Sequence, residues 1–408
     1  MASYTPVDLS RLLGALSMAL DFTTNGLSRH HRRVAYIAVT LGRAMALPVK
    51  LLKTLYCAAS IHDIGAVTFA QKSDLTRFEI HSPKSHCQIG KRMLASSPQL
   101  QDIAIIIEHH HDRWDEPGRD DSTVDPELLL LGDLIHLADR IEILLTPAHI
   151  LSQRRVIMDA IGPLFGSVFR PELADAITAL AGRESFWLDL DSPFIDELTR
   201  QAVGADEHII QLPYCELKGL ASIFARIIDS KSRFTLRHSR LVSASATHLS
   251  ELAGFSSADA ARMEVAALLH DIGKLSIPEE ILEKPTQLTP EEYLVIKQHT
   301  YYSYHILNQV PGFSEIAQWG AYHHERLDGR GYPFHIPGDQ LSTGSRIVAV
   351  ADIFSALVED RPYREGLRRE KVESILRQMV KENAIDGDLA DLLCQQYEAF
   401  EELKHSIG

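Results

Sequence analysis

His62-Asp63-Ile64-Gly65 recurs as His270-Asp271-Ile272-Gly273, an offset of 208 residues. The correspondence extends to both sides of the tetrapeptide. Upstream, His30 pairs with His238 at the same offset. Downstream, His86 pairs with His299, His110-His111 with His323-His324, and Asp139 with Asp352, all at an offset of 213. A single length difference between the HD dipeptide and the next His explains the change of offset. So many coincident polar positions mark two copies of one domain.

The chain around these positions has helical spacing over residues 51–61, 126–145, 258–269 and 371–380. Strand-like alternation is scarce, and Pro and Gly cluster in short loops at 116–118 and 329–333. The expected fold is therefore all-α, two tandem helical bundles. The expected divisions are an N-terminal domain over 1–205, a connecting helix or linker over 206–230, and a C-terminal domain over 231–408. The first twenty residues, MASYTPVDLSRLLGALSMAL, read as an amphipathic helix rather than a signal peptide, because Asp8 and Arg11 flank the apolar stretch.

Composition bounds the function. Hydrophobic residues make up 45% and charged residues 24% of 408, as in ordinary globular proteins. The formal net charge of −14 disfavours a surface for long nucleic acid. No apolar run reaches the roughly 18 residues of a membrane span. The four Cys form no CxxC pair, so neither a thiolate zinc site nor a disulfide framework is indicated, and a reducing cytoplasm is expected.

Each copy offers five His and two Asp with no thiolate. That donor set suits Fe, Mn, Ni, Co or Zn. Seven ligands exceed the need of one ion, so two divalent ions per active domain are expected, Fe or Mn foremost, with an Asp able to bridge them. Two such ions can activate a water and stabilise charge on a phosphoryl group. Taken singly, the pieces have bland readings. A lone His-Asp is usually a surface or capping pair, His109-His110-His111 could be a solvated loop, and Asp139 or Asp352 a satisfied core polar group. Their joint repetition favours the metal site.

Residues 230–365 resemble the HD-GYP family of HD-domain phosphohydrolases. The matching motifs are His238 in TLRHS, HDIGK at 270–274, IPEEILEKPTQLTPEEY and His299. They continue with HHERLDGRGYP at 323–333, AVADIFSAL at 349–357 and RPYR at 361–364. The resemblance implies an all-α fold and metal-dependent hydrolysis of a cyclic dinucleotide second messenger, cyclic di-GMP or 3′3′-cyclic GMP-AMP. It implies that His238, His270, Asp271 and Asp352 hold one ion, and that Asp271 bridges to a second held by His299, His323 and His324. It makes Asp271 and Lys274 catalytic, and makes Lys274, Arg361, Arg364 and Tyr332 substrate contacts. A purely structural turn is the alternative for Tyr332 and Pro333. Three positions depart from the family pattern. Phe234 stands where trinuclear members carry Glu, Ser355 where a second acid is frequent, and Leu241 where Arg is usual.

The first copy resembles the wider HD superfamily over roughly residues 20–200. It keeps His30, His62, Asp63, His86, His110, His111 and Asp139 as a second metal set. It has Ala66 in place of Lys274, DEPGRDD at 115–121 in place of the GYP loop, and Ala148 and Leu151 in place of the RPYR arginines. It reads as a second hydrolase, a sensor or a scaffold. The first is favoured, with removal of the 5′-phosphate from the linear product as its reaction. For the whole protein, a non-catalytic adaptor that binds a cyclic dinucleotide and an HD-type nucleotidase are the alternatives. The expected partner is the cyclic dinucleotide, with no membrane; oligomeric state is open, a homodimer among the options.

Overall fold

The computed structural model describes residues 4–22, 29–66, 84–95, 97–117, 123–204, 209–230, 237–360 and 365–407. It is helical almost throughout. The exception among the described residues is a two-stranded sheet of β1 (Tyr4–Asp8) and β2 (Ile209–Pro213). The chain separates into two compact units, Asp8–Ile209 and Ile210–Gly408, the latter joined by Met1–Val7.

The N-terminal unit contains α1 (Leu9–Asp21), α2 (His30–Ala44), α3 (Val49–Ser60), α4 (Lys84–Leu94) and α5 (Gln101–His109). It continues with α6 (Pro126–Ile143), α7 (Ile150–Ile161), α8 (Leu173–Ala181), α9 (Glu184–Asp191) and α10 (Ile195–Val203). The expected N-terminal helix is correct only from Leu9. Before it the chain is extended, and Asp8 caps the helix by accepting a hydrogen bond from Arg11 N at 3.1 Å. Helix α6 is the axis of the unit. Asp125 caps it, Pro126 occupies its first turn, and nearly every side chain from Leu131 to Ile141 is buried. Helix α6 packs against α2, α3 and α5.

The C-terminal unit contains α11 (Tyr214–Ser230), α12 (His238–Leu252), α13 (Ser257–Leu269), a 3-10 turn over Ile272–Ser276, α14 (Glu279–Leu282) and α15 (Pro290–Leu307). It ends with α16 (Ser314–Ala321), α17 (Thr343–Val358), α18 (Arg369–Lys381), α19 (Gly387–Gln395) and α20 (Tyr397–Ser406). Helix α17 plays the part of α6 and packs against α12, α13 and α16. The segment read as a connector, α11, belongs to this unit's core. It buries Leu217, Leu220, Ala221 and Phe224 and packs on α13, because its apolar stripe needs a partner.

Helix α15 is set by a reciprocal capping box. Thr289 Oγ1 accepts from Glu292 N at 3.2 Å, and Thr289 N donates to Glu292 Oε2 at 2.8 Å. The turn that follows His270-Asp271 lies directly on this helix. Gly273 N donates to Ser303 Oγ at 3.0 Å, and Ser303 Oγ donates to His270 O at 2.7 Å. A Cβ on Gly273 would lie 1.9 Å from His299 O, and one on Gly65 would lie 2.0 Å from His86 O. The fourth residue of each HDIG is therefore Gly because backbone passes where a side chain would be. Gly273→Ala should cost about 1–3 kcal/mol through overpacking against atoms that cannot move aside. Chemical unfolding of the full chain checks this, with an unchanged midpoint as the contrary result.

Candidate metal centres and the signature loop

The ligand histidines sit where their ring nitrogens are divided between two tasks. Nδ1 of His270, His299 and His323 each donates to the carbonyl three residues back, Ala267, Ile296 and Gly320, at 2.7 Å. In the first copy His62 donates likewise to Ala59 O at 2.9 Å and His110 to Ile107 O at 2.7 Å. Most of these carbonyls belong to the last turn of a helix, where they lack an intrahelical donor. The hydrogen bond fixes the tautomer, so Nε2 presents its lone pair inward.

In the C-terminal unit these lone pairs meet Asp271. Its Oδ2 lies 3.1 Å from His270 Nε2, and its Oδ1 lies 3.3 Å from His299 Nε2 and 3.8 Å from His323 Nε2. Asp352 Oδ1 lies 3.0 Å from His238 Nε2 and 3.9 Å from His270 Nε2. Three groups could each hold an ion: His238, His270 and Asp352; His270, Asp271 and His323; and His299, His323 and His324. Asp271 thus turns one oxygen toward each lobe, as a bridging carboxylate must.

The N-terminal unit repeats the arrangement. Asp63 Oδ2 lies 3.6 Å from His30 Nε2 and 3.7 Å from His62 Nε2, while Oδ1 lies 3.4 Å from His86 Nε2 and 3.8 Å from His110 Nε2. Asp139 Oδ1 lies 3.5 Å from His30 Nε2, and Oδ2 lies 3.9 Å from His111 Nε2. The ion-holding groups are Asp63, His86, His110 and His111, and His30, His62 and Asp63. Each sequence-expected ligand of both copies is thus brought to its cluster.

The clusters fit divalent cations. Asp271 Oδ1, His270 Nε2 and Asp63 Oδ1 are buried without a hydrogen-bond partner among the described residues. Such orphaned acceptors converging at one point are costly unless a cation joins them. Burial pushes His299 down to about 3, and pushes His323 and His111 well below the usual imidazole range, so these rings are neutral donors. Burial raises Asp271, but His270 and Lys274 outweigh it and hold the carboxylate well below its ordinary value. His238 differs. Burial lowers it, yet hydrogen bonds to Asp352 and Glu359 carry it up to about 10. A bound cation would take that proton's place.

Sequence reading missed the outer partners. Glu359 accepts from His238 Nδ1 at 2.8 Å and Glu142 from His30 Nδ1 at 2.6 Å. Glu142 stands three residues after Asp139, where the second copy has Ser355; the acid of the second copy arrives one turn later. The signal was helical spacing, since i+3 and i+7 share a face with the ligand Asp. Asp21 and Asp229 were also missed, although they obey the 208 offset. Asp21 accepts from His31 Nδ1 at 2.7 Å, and Asp229 from Ser239 Oγ at 2.7 Å.

Beside the C-terminal cluster, Lys274 Nζ lies 2.5 Å from Asp271 Oδ2. The signature loop is anchored by Glu325, another residue without a sequence-level role. Its buried carboxylate accepts from Phe334 N at 2.7 Å and Ile336 N at 3.2 Å. A Cβ on Gly331 would lie 2.4 Å from Glu325 Cα, and Gly329 has φ +72°, so both glycines are required. The loop places the Tyr332 ring 4.9 Å from that of His324, with Lys297 Nζ 5.3 Å from the Tyr332 ring. Arg361, Arg364 and Phe234 lie outside the described residues.

The HD domain family matches residues 222–389 and again residues 27–144. A Vibrio cholerae protein named 3′3′-cGAMP-specific phosphodiesterase 1 is 31% identical over 97% of this chain and 94% of its own length. The chain belongs to the HD-GYP family of HD-domain phosphodiesterases. A Thermotoga maritima cyclic di-GMP phosphodiesterase is 43% identical over 32% of this chain and 36% of its own. The crystal structure of a cyclic GMP-AMP-specific phosphodiesterase of V. cholerae shares the fold, with TM-score 0.67 and 23% identity over 96% of this HD-GYP chain and 98% of that one. Among the described residues, no helix is long and apolar enough to cross a membrane.

Outer-sphere carboxylates on metal-binding imidazoles commonly govern affinity by about 10–100-fold. Glu359→Gln and Glu142→Gln should each weaken divalent-metal binding to their own unit by that order while leaving helicity unchanged. Competition with a chromogenic chelator reads the first quantity and circular dichroism the second. Undiminished affinity in both variants would show these acids to be bystanders.

Proposed function

We propose that the C-terminal unit opens a cyclic dinucleotide to its linear form, and that the N-terminal unit removes the terminal phosphate so produced. The observation that carries the first half is Asp271, which faces both ligand lobes at 3.1–3.8 Å while Lys274 holds its Oδ2 at 2.5 Å. Bound divalent ions would supply an activated water and charge stabilisation at phosphorus. The chain's residues would do the rest. Asp271 and Lys274 fix each other, so a cation stands at the cluster's edge for an unbridged phosphate oxygen. Tyr332 offers a ring face beside His324 for a nucleobase. The bond from water oxygen to phosphorus forms, and the bond from phosphorus to the 3′ oxygen breaks. The product is a linear dinucleotide with a 5′-phosphate. The lysine ion pair speaks against an adaptor, which would need no charge poised at the ligand cluster.

For the substrate we favour 3′3′-cyclic GMP-AMP ahead of cyclic di-GMP. Support comes from the relative aligned along nearly the whole chain, which is named for the former. The second half of the proposal rests on the repeated ligand set in a unit that has Ala66 in place of the lysine. Chromatography of the products from each cyclic dinucleotide separates the roles. Asp271→Ala should abolish ring opening by at least about 10³-fold, the order reached when a catalytic group is removed. Asp63→Ala should leave ring opening intact and let the 5′-phosphorylated linear product accumulate. Equal loss of ring opening in both variants would overturn the assignment of one reaction to each unit.

A further inference from the structure

Each ligand cluster holds a lysine or arginine against one of its carboxylates, partly exposed in the C-terminal unit and buried in the N-terminal one, and the two units choose different carboxylates. In the C-terminal unit the cation is Lys274, on the Asp of the HD turn. The equivalent residue of the N-terminal unit is Ala66, which is buried and apolar. There the cation is Arg140, on α6. Its Nη2 lies 2.5 Å and its Nε 3.1 Å from Asp139 Oδ2. The residue equivalent to Arg140 in the second copy is Ile353. The charge has moved from one side of the ligand cluster to the other, and its carrier has changed from ammonium to guanidinium.

We infer that Arg140 is the phosphate-contacting residue of the N-terminal site, and that its guanidinium adapts this site to a terminal phosphate monoester. The inference rests on the reading of this unit as a phosphomonoesterase and deepens it. Three observations carry it. Arg140 is 3% exposed, burial that is rare for an arginine unless it is paired, and the partner here is a carboxylate of the ligand cluster. Adjacent residues on a helix do not face each other, so the contact between Arg140 and Asp139 is not one that helical spacing supplies by default. The oxygen it touches also faces His111 at 3.9 Å, which places the guanidinium at the edge of the cluster. The chemistry agrees. A diester offers two unbridged oxygens sharing one charge, which a point ammonium can meet. A terminal phosphate carries nearly two charges on three oxygens, which a planar fork meets through paired hydrogen bonds.

The test uses the full chain with Asp271→Ala, which silences the diester site, loaded with manganese. The linear dinucleotide bearing a 5′-phosphate is the substrate, and inorganic phosphate is the competing ligand. Adding Arg140→Gln should retain stoichiometric manganese and raise both KM and the phosphate inhibition constant by about tenfold or more, the order of a lost charged hydrogen bond. Arg140→Lys should restore part of the loss. Unchanged KM and phosphate inhibition would overturn the inference. So would loss of manganese with unaltered phosphate affinity in the fraction that stays loaded, since Arg140 would then only orient Asp139. If the Asp271→Ala chain releases no phosphate from the dinucleotide, the phosphomonoesterase reading fails. Calorimetric binding of inorganic phosphate then decides for Arg140 by itself. Weaker binding by Arg140→Gln supports the assignment; equal binding, or no binding by either chain, overturns it.

Discussion

The hydrogen bond from a ligand imidazole Nδ1 to the carbonyl three residues behind it is the constraint on which both units are built. It occurs at His62, His110, His270, His299 and His323. Each bond satisfies a helix carbonyl, fixes a ring orientation and turns a lone pair inward. Helices α3, α5, α13 and α16 end at or within two residues of these histidines, so the metal ligands are also the places where the bundle turns. The arrangement buries groups that would otherwise remain hydrated. Unpaired, they would oppose folding by several kcal/mol each. The carboxylates Asp63 and Asp271 relieve part of that cost, and a cation held by each cluster would relieve the rest. Fold and ligand cluster are one problem with one solution.

That unity explains what could be read from sequence. The residues that the structure gathers into each cluster were legible as a set because metal chemistry admits few residue types and the repeat states the spacing twice. Helices such as α6 and α13 were legible because apolar side chains recur at helical intervals. The same spacing argument extended too far at the N-terminus, where five residues pair as β1 with a strand some 200 residues away; no local pattern announces a long-range partner. It also misjudged α11, whose apolar face looks the same whether it packs on its own unit or spans two. The outer acids were less legible for another reason. Glu142 and Glu359 perform one task from positions three and seven residues beyond the ligand Asp, so alignment of the two copies hides their equivalence. Glu325 and Arg140 act on backbone or on a neighbour, and their identity becomes informative only once burial is known.

Comparison of the copies separates what metal binding demands from what the ligand demands. The imidazoles and the two aspartates are common to both. The surroundings differ in charge carrier and in reach. Asp21 engages a histidine and Asp229 a serine at equivalent places, so this position adds an imidazole beside the first cluster, with His31 5.1 Å from His30 and 5.2 Å from His62 between ring centroids. The second copy has the loop anchored by Glu325, which brings Tyr332 to His324. An aromatic face beside the cluster suits a base-bearing ring; a crowded, cation-lined cluster without that loop suits a group presented end-on. The division of labour proposed above, diester against monoester, rests on these surroundings rather than on the ligands themselves.

The overall charge sharpens the argument. A chain of net charge −14 repels a polyanionic substrate at long range, so electrostatic steering cannot be the source of capture. Attraction must be made at short range, by cations whose surroundings exclude water and whose fields are therefore weakly screened. Arg140, buried against Asp139, meets that requirement, and Lys274, though partly exposed, is held against the buried carboxylate of Asp271. Exposed lysines and arginines on the same surface are compensated by the acidic excess. In the proposed reading, a phosphate that reaches either cluster would meet a cation already fixed in place, with little ordering left to be done on binding.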